Sequence, residues 1–243
     1  VVLVDTLMDL FSANTLLVNS HGIREGMILE AIKRRGMAPE SQAPRSWRES
    51  VIAFGRSCQM DDLHSLQVAT LSLALFDQLA DTFGLKKRDR VVLETAALLH
   101  DTGYYISYHS HHKHSCHLIR HADLFGITPR EREMAAVTAR YHRKSLPKKK
   151  HDEFQRLTAR EQLTVARLAG ILRLADGLDR RRCSTVSSLH CRVDGNRLHL
   201  ILSGTEDMAV ELFGGSMKKD LFEKAFDVEV VFVTQPAAET DKG

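Results

Sequence analysis

The sequence has no C-x-x-C pair, and its four cysteines, Cys58, Cys116, Cys183 and Cys191, lie far apart. Neither a zinc ribbon nor a disulfide framework is indicated, so they read as buried thiols of a reducing compartment. No apolar run approaches the roughly 20 residues that a membrane-spanning helix requires. The opening "VVLVDTLMDLF" carries acids where a secretory signal carries basic residues. The expectation is a cytoplasmic protein with no membrane partner. An initiator methionine is missing too, as expected of a fragment or a trimmed chain. Internal repeats and low-complexity tracts are lacking, and neither sign of charge dominates, the net being +3.

What is present is 243 residues, 43% of them hydrophobic, enough to bury the core of one large domain or of one domain with a small appendage. Positive charge gathers in "RYHRKSLPKKKH", residues 140 to 151, and in Arg180, Arg181 and Arg182. A phosphate-rich anion fits such clusters, as does plain solvation of a loop.

Helix signals are plain. "SWRE" at Ser46, "TPRE" at Thr128 and "TARE" at Thr158 are capping boxes, each with a hydroxyl for the first free amides and a Glu three residues on. Apolar residues recur at helical spacing in "LHSLQVATLSLALFDQLA", "RDRVVLETAALLH" and "LTVARLAGILRLADGLD". These patterns predict helices near 47 to 59, 62 to 83, 88 to 101, 113 to 124, 129 to 142 and 159 to 179. From Val186 the period becomes two: "VSSLHCRVDGNRLHLILSG" predicts a hairpin turning at "DGN", and "MAVELFGGSMKKDLFEKAFDVEVVFV" a strand, a helix and a strand. The fold class is mainly α, a helical bundle over residues 41–184 with a small α+β subdomain over 185–243. Residues 1–40 differ from both: "LLVNSHGIREGMILEAI" predicts a short strand ending near Ser20, a turn at Gly22 and a helix from about Arg24. "RRGMAPESQAPRS", with Pro39 and Pro44, reads as a linker.

The histidines then fall into place. His64 lies at the start of one helix, His100 and Asp101 at the end of another, His114 at the start of a third, His142 at the end of a fourth, and Asp176 late in a fifth. Imidazoles and carboxylates are ligands for divalent transition metals, and facing helices of a bundle can bring them together. The order His, His-Asp, His, His, Asp suits a dinuclear site in which one carboxylate, Asp101, bridges two ions.

"LLHDTGYYISYHSHHKHSCHLI", "RYHRKSLP" and "LRLADGLDR" together resemble the HD-superfamily domain that forms the C-terminal part of the exopolyphosphatase and guanosine pentaphosphate phosphohydrolase family. The likeness runs from about residue 45 to residue 232. "NSHGIREGMI" resembles the turn and helix that end that family's actin-like ATPase-fold domain, whose phosphate-binding loops and catalytic glutamate would precede residue 1. The resemblance implies metal ligands at His64, His100, Asp101, His142 and Asp176. For the remaining histidine of "HSHHKHS" it favours His114, with His112 as the alternative, and leaves His109 and His111 to a loop and His117 and His121 to an exposed face.

Two divalent ions held there, whether Mn, Mg, Fe, Zn or Ni, would acidify a shared water for in-line attack on phosphorus. Lys113, Arg143, Lys144 and Arg180 are the cations expected to hold non-reacting phosphates. The expected activity is metal-dependent hydrolysis of polyphosphate or a nucleotide phosphate. The other reading is a non-catalytic module that binds polyphosphate and forms a homodimer.

Overall fold

The computed structural model describes residues 2–12, separate positions 24, 27, 30, 31 and 34, and the stretches 46–204 and 207–236. The chain divides into two compact units, Val1–Ala43 and Pro44–Gly243. In the first, helix α1 spans Val2–Leu10, an element that the sequence patterns do not announce. Positions 24, 27, 30, 31 and 34 are helical, and Arg34 Nε donates to Glu30 Oε1 at 3.1 Å. The strand and turn expected near Ser20 and Gly22 lie outside the described residues.

The second unit is mostly helical with a small sheet near the C-terminus. Its helices are α2 (Trp47–Ser57), α3 (Asp62–Phe83), α4 (Lys87–Leu99), a 3-10 turn (Thr102–Tyr105), α5 (His111–His121), α6 (Pro129–Arg140), the single turn α7 (Asp152–Gln155) and α8 (Ala159–Leu178). Local chemistry sets their starts. The Ser46 hydroxyl accepts the Glu49 amide, and Thr128 with Glu131 and Thr158 with Glu161 form reciprocal capping boxes that satisfy amides with no partner inside the helix. Helix α3 stops at Gly84, whose φ of 65° is readily adopted by glycine.

Helix α8 is the centre of the bundle. Val165, Leu168, Ile171, Leu172, Leu174, Ala175 and Leu178 are all fully buried, and from Leu168 to Leu178 the helix is buried on every side, as a core helix must be. Helices α3, α4 and α6 pack around it. In α4 every residue from Val92 to Leu99 is buried, including Glu94, whose carboxylate is paired with Arg48 and Arg90.

The hairpin occurs where "DGN" predicts it. Strand β1 (Val186–Asp194) pairs antiparallel with β2 (Arg197–Gly204), and the chain turns at Gly195 with φ 58°. Strand β3 (Glu229–Pro236) then pairs parallel with β2. Two glutamines of α3 fasten the sheet edge: Gln67 Nε2 donates to Val186 O at 2.6 Å, and Gln78 Nε2 donates to Leu189 O at 3.0 Å.

One element differs from its sequence pattern. "MAVELF" is not a strand: Ala209–Lys218 form helix α9, followed by α10 (Asp220–Phe226). Both pack on α8. A Cβ placed on Gly177 of α8 would lie 2.7 Å from the carbonyl oxygen of Gly214 in α9, so two glycines let the backbones meet. That contact overrides the β preference of Val210, Leu212 and Phe213, an instance of tertiary packing outweighing propensity. Among the described residues no helix is long and apolar enough to cross a membrane. Cys58 and Cys116 are buried as expected, but Cys183 is exposed and Cys191 half-buried.

The caps carry measurable stability. Arg130, then the Thr158 contacts, hold the Glu161 carboxyl down at about 2. A carboxyl depressed from 4.5 contributes stability that is fully present above that value and is lost as pH falls toward 2. Thr158→Ala is therefore expected to cost about 1 kcal/mol at neutral pH. The penalty should shrink near pH 3, as read from denaturant midpoints at the two pH values.

A candidate metal centre

The bundle brings five of the six expected ligand residues to one buried point. His64 lies in the first turn of α3, His100 caps the end of α4 with Asp101 next to it, His142 follows α6, and Asp176 sits in the last turns of α8. All five are at most 8% exposed. His114 is not among them: it is half-exposed, one helical turn along α5. The imidazole that faces Asp101 belongs to His111, 1% exposed, whose Nε2 is 3.3 Å from Asp101 Oδ1. His112 is buried but lines a separate cavity that none of the cluster carboxylates lines. His109, His117 and His121 are exposed.

Asp101 stands between two pairs of histidines. Its Oδ1 is 3.3 Å from His111 Nε2 and 3.6 Å from His142 Nε2. Its Oδ2 is 3.6 Å from His100 Nε2 and 3.8 Å from His64 Nε2. Asp176 Oδ1 approaches the second pair, at 3.4 Å from His64 Nε2 and 3.9 Å from His100 Nε2. His64, His100 and Asp101 form one group able to hold a metal ion, and Asp101, His111 and His142 form another.

The main chain aims the rings. Nδ1 of His100 bonds Ala97 O at 2.7 Å, Nδ1 of His142 bonds Ala139 O at 2.7 Å, and Nδ1 of His111 bonds Tyr108 O at 3.2 Å. For His100 and His142 the acceptors are last-turn carbonyls, which lack the usual partner four residues on. His64 Nδ1 instead bonds Asp179 Oδ2 at 2.7 Å. Each contact leaves Nε2 directed inward, the arrangement by which outer partners orient ligand imidazoles. The Nε2 atoms of His64 and His100 are buried without a hydrogen-bond partner among the described residues. Two orphaned imidazole nitrogens beside two carboxylates are the donor set that a divalent ion satisfies.

Two cations already face these carboxylates. Arg182 Nη2 donates to Asp101 Oδ2 at 2.6 Å and Nη1 to Asp61 Oδ2 at 3.3 Å, while the guanidinium lies 5.8 Å over the Tyr104 ring. Lys218 of α9 donates to Asp176 Oδ2. Burial pushes the Asp101 carboxyl up, but His100, His142 and Arg182 hold it down at about 2. Burial likewise opposes the Asp176 carboxylate, and Lys218 and His64 hold it well below the usual range. Burial lowers His142 and His111. It also acts to lower His64, but the neighbouring Asp176 and Asp179 carboxylates raise that ring to about 9.

The expected phosphate-holding cations separate. Arg143, Lys144 and Arg180 line one cavity of about 310 Å³ together with Arg173, Phe213 and Lys218. This cavity adjoins the cluster, since Lys218 bonds Asp176 and Arg143 Nη1 lies 3.2 Å from both ring nitrogens of His111. Lys113 is exposed and lines a different cavity. Asp179, Arg182 and Lys218 belong to the cluster without having been singled out as site residues by the sequence; Asp179 and Arg182 do fall within "LADGLDRRR".

The family model for "Ppx/GppA phosphatase, domain III" matches residues 47–212, which include every residue of the cluster except Lys218. The chain belongs to this family. Among its Ppx/GppA relatives, a protein of Pseudoalteromonas atlantica is 25% identical over 199 residues, covering 80% of this chain and 37% of the relative. One of Aeromonas salmonicida is 30% identical over 188 residues, covering 74% and 35%. Both carry the name guanosine-5'-triphosphate,3'-diphosphate pyrophosphatase. The chain spans little more than a third of the length of the curated relatives it matches.

Proposed function

We propose that residues 41–184 form an HD-superfamily domain that binds two divalent ions and hydrolyses a phosphoanhydride or phosphate ester, its substrate a nucleotide or polyphosphate. The single observation that carries this reading is Asp101, whose two oxygens each face a pair of inward-directed imidazoles. His64, His100 and Asp176 would complete one ion's shell with Asp101, and His111 and His142 the other's. In the same reading, residues 185–243 are the domain's α+β subdomain, and residues 1–40 are the end of an actin-like ATPase-fold domain. The mixed donor set suits Mn, Fe, Zn, Ni or Mg, since imidazole accepts Zn, Fe and Ni and carboxylate accepts Mg and Mn.

Such ions would supply an acidified water and positive charge for phosphoryl oxygens. The chain's own groups do the rest. The backbone carbonyls of Ala97, Ala139 and Tyr108 keep the ring lone pairs inward. Arg182 and Lys218, which donate to Asp101 and Asp176, would be the groups to hold phosphoryl oxygens by charge-assisted hydrogen bonds. Arg143, Lys144 and Arg180 lie where the remaining phosphates of the substrate would extend.

The test is elemental analysis after loading with manganese, together with phosphate release from guanosine pentaphosphate and from polyphosphate. About two ions per chain are expected for a dinuclear site, with hydrolysis that a chelator abolishes. A chain that takes up no ion but still binds polyphosphate would instead be a binding module. Arg182 supplies a second check, because it occupies a carboxylate that the ions need. Arg182→Gln should bind metal more tightly while hydrolysis slows roughly tenfold, the scale of one charge-assisted hydrogen bond. Calorimetric metal titration set beside steady-state rates checks the opposite signs.

A further inference from the structure

A second cavity, of about 230 Å³, is lined by His112, Lys113, Arg140, Tyr141, Ser145 and His151. It lies outside the metal cluster: His112 follows His111 on α5 with its ring turned 89° from that neighbour's, and none of the metal-site carboxylates lines it. Its floor is built rather than superficial. Tyr141 is 1% and His112 6% exposed, and Tyr141 Oη is fixed at 2.7 Å from His151 Nδ1. His112 Nδ1 is buried with no hydrogen-bond partner among the described residues, which leaves a polar atom needing a ligand or water.

Every lining side chain can donate a hydrogen bond, two of them are permanent cations, and no carboxylate is present. Glu153, which pairs with Arg140 at 3.1 Å, is not among the lining residues. A cation would find only like charge there, and an apolar ligand would strand the imidazoles and hydroxyls. A compact oxyanion with acceptors in several directions satisfies the donors together, and the volume holds one such group with bridging water.

We propose that this cavity is a second anion site, selective for a phosphate group, separate from the metal centre and independent of the ions. Lys113 and Arg140 supply the charge, and Tyr141, Ser145, His112 and His151 supply neutral donors. Two sources share that chemistry, free orthophosphate and the end of a phosphate chain.

The experiment uses the full chain stripped of metal, with orthophosphate and tripolyphosphate titrated by calorimetry. Saturable binding is expected, weakened about tenfold or more in Lys113→Ala/His151→Ala, since charge-assisted donors are lost. It should be kept in Arg143→Ala/Arg180→Ala, which alters the other basic cavity. Equal affinity for the two anions identifies a site for a single phosphate, and tighter tripolyphosphate binding identifies a chain end; both support the site. No saturable binding, unchanged affinity in the first variant, or loss only in the second overturns it. If Lys113→Ala/His151→Ala melts early, Ser145→Asp places a carboxylate at the exposed rim and must abolish binding by repulsion alone. Because metal is absent throughout, failure of the dinuclear reading would leave these outcomes untouched.

Discussion

Asp101→Ala should retain neither ion and hydrolyse nothing, with its helices intact. Among the described residues, its side chain is the only group whose two oxygens reach both histidine pairs, within 3.3 to 3.8 Å of four Nε2 atoms. Its removal takes a ligand from each ion at once. The fold should tolerate the change, because Arg182 keeps Asp61 as partner at 3.3 Å and the four imidazoles are held by their own Nδ1 contacts to Asp179, Ala97, Tyr108 and Ala139. Elemental analysis, circular dichroism and phosphate release decide the matter. Full metal content with undiminished turnover would remove Asp101 from the site and the dinuclear reading with it. A contrast sharpens the result: His111→Ala should lose mainly the ion shared with His142, whereas His114→Ala, altering a half-exposed ring, should change neither property.

Gly103→Ala should damage both stability and the same half of the site. A Cβ there would lie 2.5 Å from the Ser115 amide nitrogen and closer still to the His111 carbonyl oxygen. Both obstacles are backbone of α5, which no rotamer change can move aside. The helix must shift, at a cost of about 2 to 3 kcal/mol or more, as for overpacking in a close-packed interior. His111, the first residue of α5, would shift with it. Thermal melts should show the loss of stability, and metal titration should show the His111/His142 ion weakened more than its neighbour. Ser115→Ala, which removes only the Gly103 N–Ser115 Oγ bond of 2.8 Å, should cost about 1 kcal/mol and leave both ions. Equal melting of Gly103→Ala and the parent would mean that α5 is not held against the 3-10 turn as described.

Most of the bundle is legible because its signals are local. Ser46, Thr128 and Thr158 mark helix starts in the residues themselves, and the apolar spacing of α3, α4 and α8 needs no tertiary knowledge. Helix α5 shows where this fails. It starts two residues before the pattern suggests, after Ser110 in the left-handed region with φ 59° and with no side-chain cap. That offset is why His111, rather than His114, faces Asp101. Helix α9 fails for another reason: its conformation depends on the meeting of Gly177 and Gly214, residues distant in sequence. Lys218 is likewise invisible beforehand, since no spacing rule connects it with Asp176.

The parallel pairing of β2 with β3 also decides how Lys218 reaches the cluster. Parallel neighbours cannot be joined by a tight turn, so α9 and α10 form the crossover, and Lys218 rides on it. Such non-local closure is slow compared with the docking of sequential helices. Until the crossover closes, Asp176 lacks its lysine counter-charge, and the site around it is more anionic than the finished one. An ion present at that stage meets Asp176 uncontested, whereas one arriving later must displace an ammonium. Refolding in the presence of manganese should then load the protein faster than adding manganese to the refolded chain, and equal loading rates would show that the crossover closes first.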